Sequence, residues 1–572
     1  MTCLIASRCA HRVSQRMFGP RRIQVWPIIV AAAMLLAGSA GPTRAAVTAT
    51  GDFSPDPLME NQFVEIGSFG YGTFRIDGGS TFESDFIELG GSQPGFGVAT
   101  VIDAGSKWTI DGGQIGGSGV GRLEIRQGGV VESTSGGGLR LGDNSPGHGT
   151  VIVTGPSSLL HVNGQFLVGQ NGAGVLEIAA DAIVNVPTST TIVGGNGRVK
   201  LDGGLLRTND FENRGIISGS GEIDVLCCGQ LENLGRIEAG ASDYLLLRSL
   251  QSNGLTNRGE LIADGGELEI HHRLSNENSG ETQGQITLHD GTIRVGVIGG
   301  GQQFPSQLTN RGLVAVIGGT NHIYGTVENE FMGQIAVTNN SLAMFHHNVS
   351  ATNNSTISVF AGSTAIFLQD LELNGGTLLA DLTGVAGFGH VEVVGDVFLN
   401  GMLQVSLSND FAPQAGDSFP LLTAAGGIEA QSLLLDAPEL PEGLDWRLQV
   451  GANQVVVSVV TPTIAGDYNG NGVVDAADYT VWRDLLGKDG IALAADGTGS
   501  GGGLPDGVVD QFDYDLWVEH FGETADGGEG AANLAPGDSP GANHAVPEPS
   551  VWVLLTFGAA LVVVGRQAMS RR

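Results

Sequence analysis

Asp467, Asn469, Asn471, Gly472, Asp475 and Asp478 occupy positions 1, 3, 5, 6, 9 and 12 of a twelve-residue loop. That spacing wraps oxygen ligands around a calcium ion. Calcium takes six to eight hard oxygens at about 2.3 to 2.6 Å. Alternate side chains at positions 1, 3 and 5 converge on it, Gly472 permits the sharp turn, and the carbonyl of Val473 supplies position 7. Asp478 closes the shell from the first turn of a helix, in which Tyr479, Trp482 and Leu486 recur at spacings of three and four and form an apolar face. The pattern returns 35 residues later, where Asp510, Asp513, Tyr514, Trp517 and Gly522 repeat the offsets of Asp475, Asp478, Tyr479, Trp482 and Gly487. An ordinary Asx-rich turn explains neither the span nor the duplication.

In the second unit Asp506, Val508 and Asp510 fit positions 5, 7 and 9, and Asp513 fits position 12. Asp496 and Thr498 fill positions 1 and 3 if an insertion of about six residues, 500–505, bulges out. From about residue 467 to 522 the chain resembles a type I dockerin, a pair of F-hands in which each half is a calcium loop plus one helix. The resemblance implies bound Ca2+ and a cohesin-like partner. Ala476-Ala477 and Gln511-Phe512 stand where cohesin-binding dockerins often carry Ser-Thr, which is a departure from the pattern.

Both ends carry addresses. Arg8, Arg12, Arg16, Arg21 and Arg22 precede an apolar run over 25–37, and Thr43-Arg44-Ala45 offers small residues for cleavage. Residues 1–45 therefore read as a secretory signal peptide. At the other end Val546-Pro547-Glu548-Pro549 is followed by a largely apolar stretch over 551–564 and then Arg566, Arg571 and Arg572. This resembles the PEP-CTERM sorting signal. The resemblance implies an exosortase-type sorting enzyme, cleavage near the motif, and transfer to the cell surface or an exopolysaccharide. Fourteen apolar residues fall short of the roughly twenty that cross a bilayer, and the basic tail holds the C-terminus on the cytoplasmic side before processing. The alternative is a retained membrane anchor.

The 572 residues include 92 glycines and carry a formal charge of −33. Such a charge repels phosphate backbones and excludes nucleic acid as a partner. Cys3 and Cys9 leave with the signal, and adjacent Cys227 and Cys228 do not easily form an unstrained bridge.

Stability must come from repetition instead. Gly90, Gly116, Gly142, Gly169 and Gly194 each end a short apolar strand at separations of 26, 26, 27 and 25. A second strand per period alternates polar and aliphatic residues, with Ile102, Ile125, Val153 and Ile178 expected inside. From Asn213 the punctuation becomes Asn213-Arg214-Gly215, Asn233-Leu234-Gly235, Asn257-Arg258-Gly259, Asn278-Ser279-Gly280 and Asn310-Arg311-Gly312. Periods of this size mean a solenoid. The Gly-, Asn- and Asp-rich turns resemble autotransporter-type β-helix repeats of bacterial surface proteins.

The expected fold class is therefore all-β, a parallel β-helix (β-solenoid) rod with a β-rich C-terminal cap, followed by a small α-helical dockerin or F-hand module. The expected boundaries are signal peptide 1–45, N-terminal cap 46–65, solenoid 66–383, cap domain 384–460, calcium module 461–525, flexible linker 526–545 and sorting signal 546–572. The expected function is a secreted structural or adhesion protein of the cell surface, with an exopolysaccharide or other carbohydrate as a further partner. The rival is a polysaccharide lyase or hydrolase displayed through its dockerin, which carboxylates gathered with Arg or Lys on one face would favour. The sequence offers no catalytic set for it. Asp77, Asp103 and Asp111 sit beside turn glycines, where Asp serves its own backbone. His271-His272 and His346-His347 lie in strand-like runs that send neighbouring rings to opposite faces, so a shared metal needs another partner. Gly416-Asp417-Ser418 sits in a β-turn.

Overall fold

The computed structural model describes residues 46–524 apart from 135, 227–228, 250–253, 279, 281, 300–301, 442, 462–463, 490–492 and 498–507. The signal peptide, the sorting motif Val546 to Pro549, Thr498, Asp506, Cys227 and Cys228 lie outside the described residues.

Alternation of apolar and polar residues makes strands, and each coil of the chain contributes one stretch to each of three parallel rows. The first row holds Val120–Arg126, His148–Thr154 and Ala173–Ala179, paired residue for residue. The second holds Glu267–Ile270, Thr292–Gly299, Thr320–Tyr324 and Leu342–Phe345. The third holds Leu139–Leu141 and Phe166–Val168 early in the chain and Leu255–Asn257 and Leu274–Asn276 later. About 14 turns stack in this way, a rod of roughly 65 Å at the usual ~4.8 Å strand spacing. The interior is one continuous, mainly aliphatic core with aromatic side chains interspersed. Ile125, Val153 and Ile178 lie in it fully buried.

Ile102 does not. Val101 stands opposite Ile125 and is fully buried, while Ile102 pairs with Arg126 and is half-exposed. Two adjacent β-branched residues satisfy the alternation in either phase, so the pattern alone could not choose between them.

The corner after the third strand explains the glycines. Gly116 and Gly142 have φ of +70° and +60°. A Cβ at Gly116 would lie 2.1 Å from the carbonyl oxygen of His148, and one at Gly142 2.2 Å from that of Ala173. Only a hydrogen fits there, in a backbone conformation that glycine adopts freely.

From Asn213 onward the corner carries an asparagine ladder. Asn213, Asn233, Asn257, Asn276, Asn310 and Asn329 are fully buried. The Nδ2 of each of the first five donates to the Oδ1 of the next at 2.7 to 2.8 Å. All six also donate to a main-chain carbonyl of the following coil at 3.0 to 3.3 Å. The ladder takes Asn276 rather than Asn278, which heads the Asn-Ser-Gly tripeptide. Asn278 forms an isolated bridge with Gln283 in a loop after the ladder position, and Gly284 supplies the close approach against Asn276 Oδ1. Insertion of that loop moved the glycine away from its asparagine.

The parallel stack runs past residue 383. Asp396–Leu407 pairs in parallel with Leu371–Gly384, and Gly427–Asp436 pairs in parallel with Asp396–Leu407. Antiparallel pairing joins the short strand Gly387–Phe388 to Leu371–Gly384, and Gln454–Val460 to both Ser418–Ala424 and Asp445–Val450. There Phe388, Phe411 and Trp446 surround the buried Phe419. At the other end Ala46–Gly51 pairs antiparallel with Tyr71–Asp77, and Phe53–Ser54 with Val64–Ile66. Antiparallel strands at both ends cover edges that would otherwise template aggregation.

Two helices follow, α1 (Ala476–Leu485) and α2 (Gln511–His520). Tyr468, Trp482, Ala495 and Val509 form a buried cluster of their own.

Ile125→Asp is expected to cost several kcal/mol, because it buries an unpaired charge. Glu124→Ala removes only half-exposed pairs with Arg122 and Arg126 and is expected to cost no more than about 1 kcal/mol. Denaturant unfolding of the two variants checks this. Asn257→Ala leaves one ladder amide without its acceptor and another without its donor, about 1 to 3 kcal/mol for each. Asn278→Ala is expected to stay within about 0.5 kcal/mol. Equal costs for the two would contradict the ladder register.

Candidate functional site

The loop over 467–478 is shaped by its own carboxylates and amides. Asp467 Oδ1 accepts from the N–H groups of Gly470 and Asn471 at 2.8 and 3.1 Å, and Oδ2 from that of Gly472 at 2.7 Å. Asn469 Oδ1 accepts from Asn471, and Asn471 Oδ1 from Val473, each at 2.9 Å. Asp475 caps α1 by accepting from Ala477. Asp478 is fully buried, and its two oxygens accept from the N–H groups of Asn469 and Asp475 at 2.9 and 2.8 Å. No ion pair reaches Asp467, Asp475 or Asp478 among the described residues. Asn469 and Asn471 are exposed.

The second unit repeats the plan. Asp510 caps α2 by accepting from Phe512, and the fully buried Asp513 accepts from Asp510 and from Gly497, each at 2.8 Å. The tie from Gly497 to Asp513 spans sixteen residues, against nine for that from Asn469 to Asp478. Asp496 is largely buried and Val508 exposed.

The two units are joined reciprocally. Trp482 Nε1 donates to the Asp510 carbonyl at 2.8 Å, and Trp517 Nε1 to the Asp475 carbonyl at 2.9 Å. The Val474 N–H donates to Glu523 and the Val509 N–H to Lys488. Both pairs of links keep the 35-residue offset. Tyr468 donates to the Asp513 carbonyl at 2.5 Å. Burial, then the charges of Asp513, Asp478 and Asp496, push its phenol well above the usual range.

The donor set, carboxylate, amide and carbonyl oxygen, matches a hard cation. A fully buried carboxylate with no cationic partner, Asp478, also fits one, since an unpaired buried charge is costly. Among the described residues no three acidic, His or Cys side chains converge as a metal cluster, and Asp467, Asn469 and Asn471 turn their oxygens onto loop N–H groups.

A second grouping lies on the outer face of the second row. Register places Glu269, Arg294 and Tyr324 in one column and Tyr244, Glu267, Thr292 and His322 in the next. Tyr244 Oη donates to Glu269 Oε2 at 2.5 Å, and His271 Nε2 lies 2.8 Å from Glu269 Oε1. Burial works to raise the Glu269 carboxyl, but the bonds from His271 and Tyr244 outweigh it and hold the group below its ordinary range. Arg294 Nε donates to Glu267 at 2.8 Å, and its guanidinium sits 3.9 Å over the Tyr324 ring. Tyr324 in turn stacks on His346 at 3.8 Å and 9°. His346 Nε2 lies 3.0 Å from His322 Nδ1, whereas the His347 ring turns to accept from the Gly325 N–H. The two neighbouring rings thus part, and the partner of His346 comes from 24 residues upstream. No local pattern points to it.

Of the remaining candidates, Asp103 and Asp417 serve the backbone, whereas Asp77 and Asp111 meet neighbouring side chains. Asp103, at φ +80°, accepts from Gly78, Asp77 pairs with Arg75, Thr134 donates to Asp111, and Asp417 accepts from Gln414.

Burial, then His322, His347 and Arg294, lowers the His346 pKa to about 4. Between about 4 and the unfolded value near 6.5, the unfolded chain binds the proton that the folded chain refuses. This contribution is therefore complete above pH 6.5 and fades as pH falls toward 4. In chelator-treated protein, His346→Phe is expected to flatten the stability slope across that window. Urea midpoints at pH 7, 5.5 and 4 measure it.

No known family profile matches the chain. It is 24% identical over 443 residues to the uncharacterized protein YuaQ of Escherichia coli (strain K12), covering 70% of this chain and 31% of that protein. It is 25% identical over 370 residues to outer membrane protein B of Rickettsia rickettsii, covering 61% of this chain and 20% of that protein. The chain thus spans less than a third of the curated relatives it matches. Among solved structures, a TibA fragment hyper-glycosylated by TibC aligns over 61% of this chain and 91% of its own, at 12% identity and a TM-score of 0.18. The Haemophilus influenzae Hap adhesin aligns over 70% and 63%, at 11% identity and a TM-score of 0.23.

Proposed function

We propose that this protein is a secreted structural or adhesion rod of the cell surface, carrying a calcium-stabilised, dockerin-like interaction module and a removable sorting tail. The observation that carries the reading is the core of parallel strands, stacked through about 14 turns and covered by antiparallel strands at both ends. Such a body presents long faces at a fixed spacing and resists fraying from its ends. The likeness to an outer membrane protein supports an envelope location. The sorting motif Val546-Pro547-Glu548-Pro549 supports handling by an exosortase-type enzyme. Exopolysaccharide or another carbohydrate, and a cohesin-like protein at the module, are the partners this reading names.

Calcium in loop one would be held by Asp467, Asn469, Asn471, the Val473 carbonyl, Asp475 and Asp478. Loop two would use Asp496, Thr498, Asp506, the Val508 carbonyl, Asp510 and Asp513. When bound, the ion would supply a positive charge beside the buried Asp478 carboxylate. The chain's own contribution is the cap on each helix and the Trp-to-carbonyl bonds, which tie the order of one loop to that of the other.

A polysaccharide-degrading activity is the second reading. The observation that favours it is the gathering of Glu267, Glu269, Tyr244, His271 and Arg294 on one face.

Purified rod screened against a polysaccharide panel separates the two readings. Binding without new reducing or unsaturated ends is expected; new ends that vanish in Glu269→Gln would move the assignment to the enzyme. Mass spectrometry of the envelope fraction is expected to find neither residues 1–45 nor the tail beyond Pro549, and an intact peptide over 551–565 would argue for a retained anchor.

Calcium is expected to raise the stability of the module by about 2.7 kcal/mol at a hundredfold excess over Kd. Asp478→Ala is expected to abolish binding at loop one. Calorimetry showing no calcium heat, together with chelator-insensitive melting, would refute it.

A further inference from the structure

The strands Thr320–Tyr324 and Leu342–Phe345 stack in register, so Met344 lies next to His322 in its column and on the same outward face. His346 follows one residue beyond the second strand. Its Nε2 lies 3.0 Å from His322 Nδ1, and its ring is held against Tyr324 at 3.8 Å. Both imidazoles are half-exposed, so solvent reaches the pair.

That separation is a normal length for a hydrogen bond between the rings, and it also brings the two nitrogens as close as a shared metal would hold them. Two imidazole nitrogens on one metal at about 2.0 to 2.1 Å lie roughly 2.9 Å apart when they subtend a right angle, and roughly 3.4 Å apart in a tetrahedron. The pair fits neighbouring corners of a tetragonal site, the geometry of Cu(II). A thioether in the adjacent position is a soft donor suited to Cu(I). We infer that His322 and His346 form a two-nitrogen chelate for a copper ion on the outer face of the rod, with the Met344 sulfur beside it.

Without metal, one ring donates its proton to the other. Binding needs both facing nitrogens bare, which one ring achieves by moving its proton to its far nitrogen, with no net proton released. The positive charge nearest the pair, Arg294, is already engaged by Glu267 at 2.8 Å. The stack on Tyr324 limits the swing of the His346 ring, which favours a preformed site over a floppy one. Water would complete the coordination on the exposed side.

The test uses the full secreted chain, stripped with chelator and then resaturated with calcium so that the C-terminal loops are filled. Cu(II) is titrated and followed by electron paramagnetic resonance. One copper per chain with coupling to two nitrogens is expected. His346→Phe, which retains the ring stack, and His322→Asn should each remove one nitrogen coupling. Each should weaken binding by at least the roughly tenfold that even an outer-shell change costs. Melting curves matching wild type establish that the variants fold. An unchanged spectrum and affinity in both variants would overturn the site. Met344→Leu should weaken Cu(I) several-fold and leave the Cu(II) spectrum alone; equal Cu(I) affinity would remove the sulfur from it. Zinc outcompeting copper at the pair would overturn the choice of metal.

Discussion

In-register parallel stacking at about 4.8 Å is the constraint from which the rest of this molecule follows. Each residue sits on its counterpart in the next coil, so a side chain is tolerated only if it suits its neighbours in the column. Glycine columns survive at the tight corner because a Cβ there would strike the next coil's carbonyl. Aromatic columns survive as stacks, as Phe345 on Phe367 at 4.8 Å and 8°. Asparagine survives in the core because one amide is both donor and acceptor and can bond a copy of itself. A buried amide left unpaired costs about 1 to 3 kcal/mol, so the ladder favours a single register along the six coils that carry it.

The same constraint divides what the sequence reveals from what it conceals. Gly90, Gly116, Gly142 and Gly169 mark the corners plainly, since only one residue type meets that geometry. The inward phase is legible at Ile125 and Ile178, each preceded by a glutamate, and less so at Val153, which follows the aliphatic Ile152. It is ambiguous at Val101-Ile102, where both residues would suit the core. Asn276 was hidden for a related reason: its glycine stands at 284, beyond a loop, while Asn278 kept the tripeptide's appearance. The outer-face grouping is the least legible part. Tyr244, Glu269, Arg294, Tyr324 and His346 come from five successive coils, and their spacing in the chain, 22 to 30 residues, varies with every loop between them.

The C-terminal module was the easier half to read, because its spacing is local. Twelve residues hold the whole candidate set of loop one, and a 35-residue offset carries Asp475 and Asp478 onto Asp510 and Asp513, but it carries Asp467 and Asn469 onto Gly502 and Leu504. What the sequence could not supply is the cross-wiring. Each tryptophan closes not on its own unit but on the capping aspartate carbonyl of the other. Two loop-helix units of ten helical residues each are too short to stand alone. The reciprocal bonds make each the missing half of the other's core.

Net charge poses the remaining problem, since a column of like charges at strand spacing is repulsive and this chain carries −33. The ladder tripeptides meet it. Asn points in, Gly allows the close approach, and the residue between faces out. Arg214 pairs with Glu212, Arg258 with Glu232, and Arg311 with both Glu277 and Glu330. One three-residue unit thus serves the core, the corner and the surface. On the second row a different solution appears. From Glu269 the column takes one cation in Arg294, and then passes to Tyr324, against which His346 stacks without charge. Coils can therefore continue there without a further acid to balance, and the face becomes polar, nearly neutral and rigid. Those are the conditions under which an imidazole keeps its lone pair free for something other than a proton.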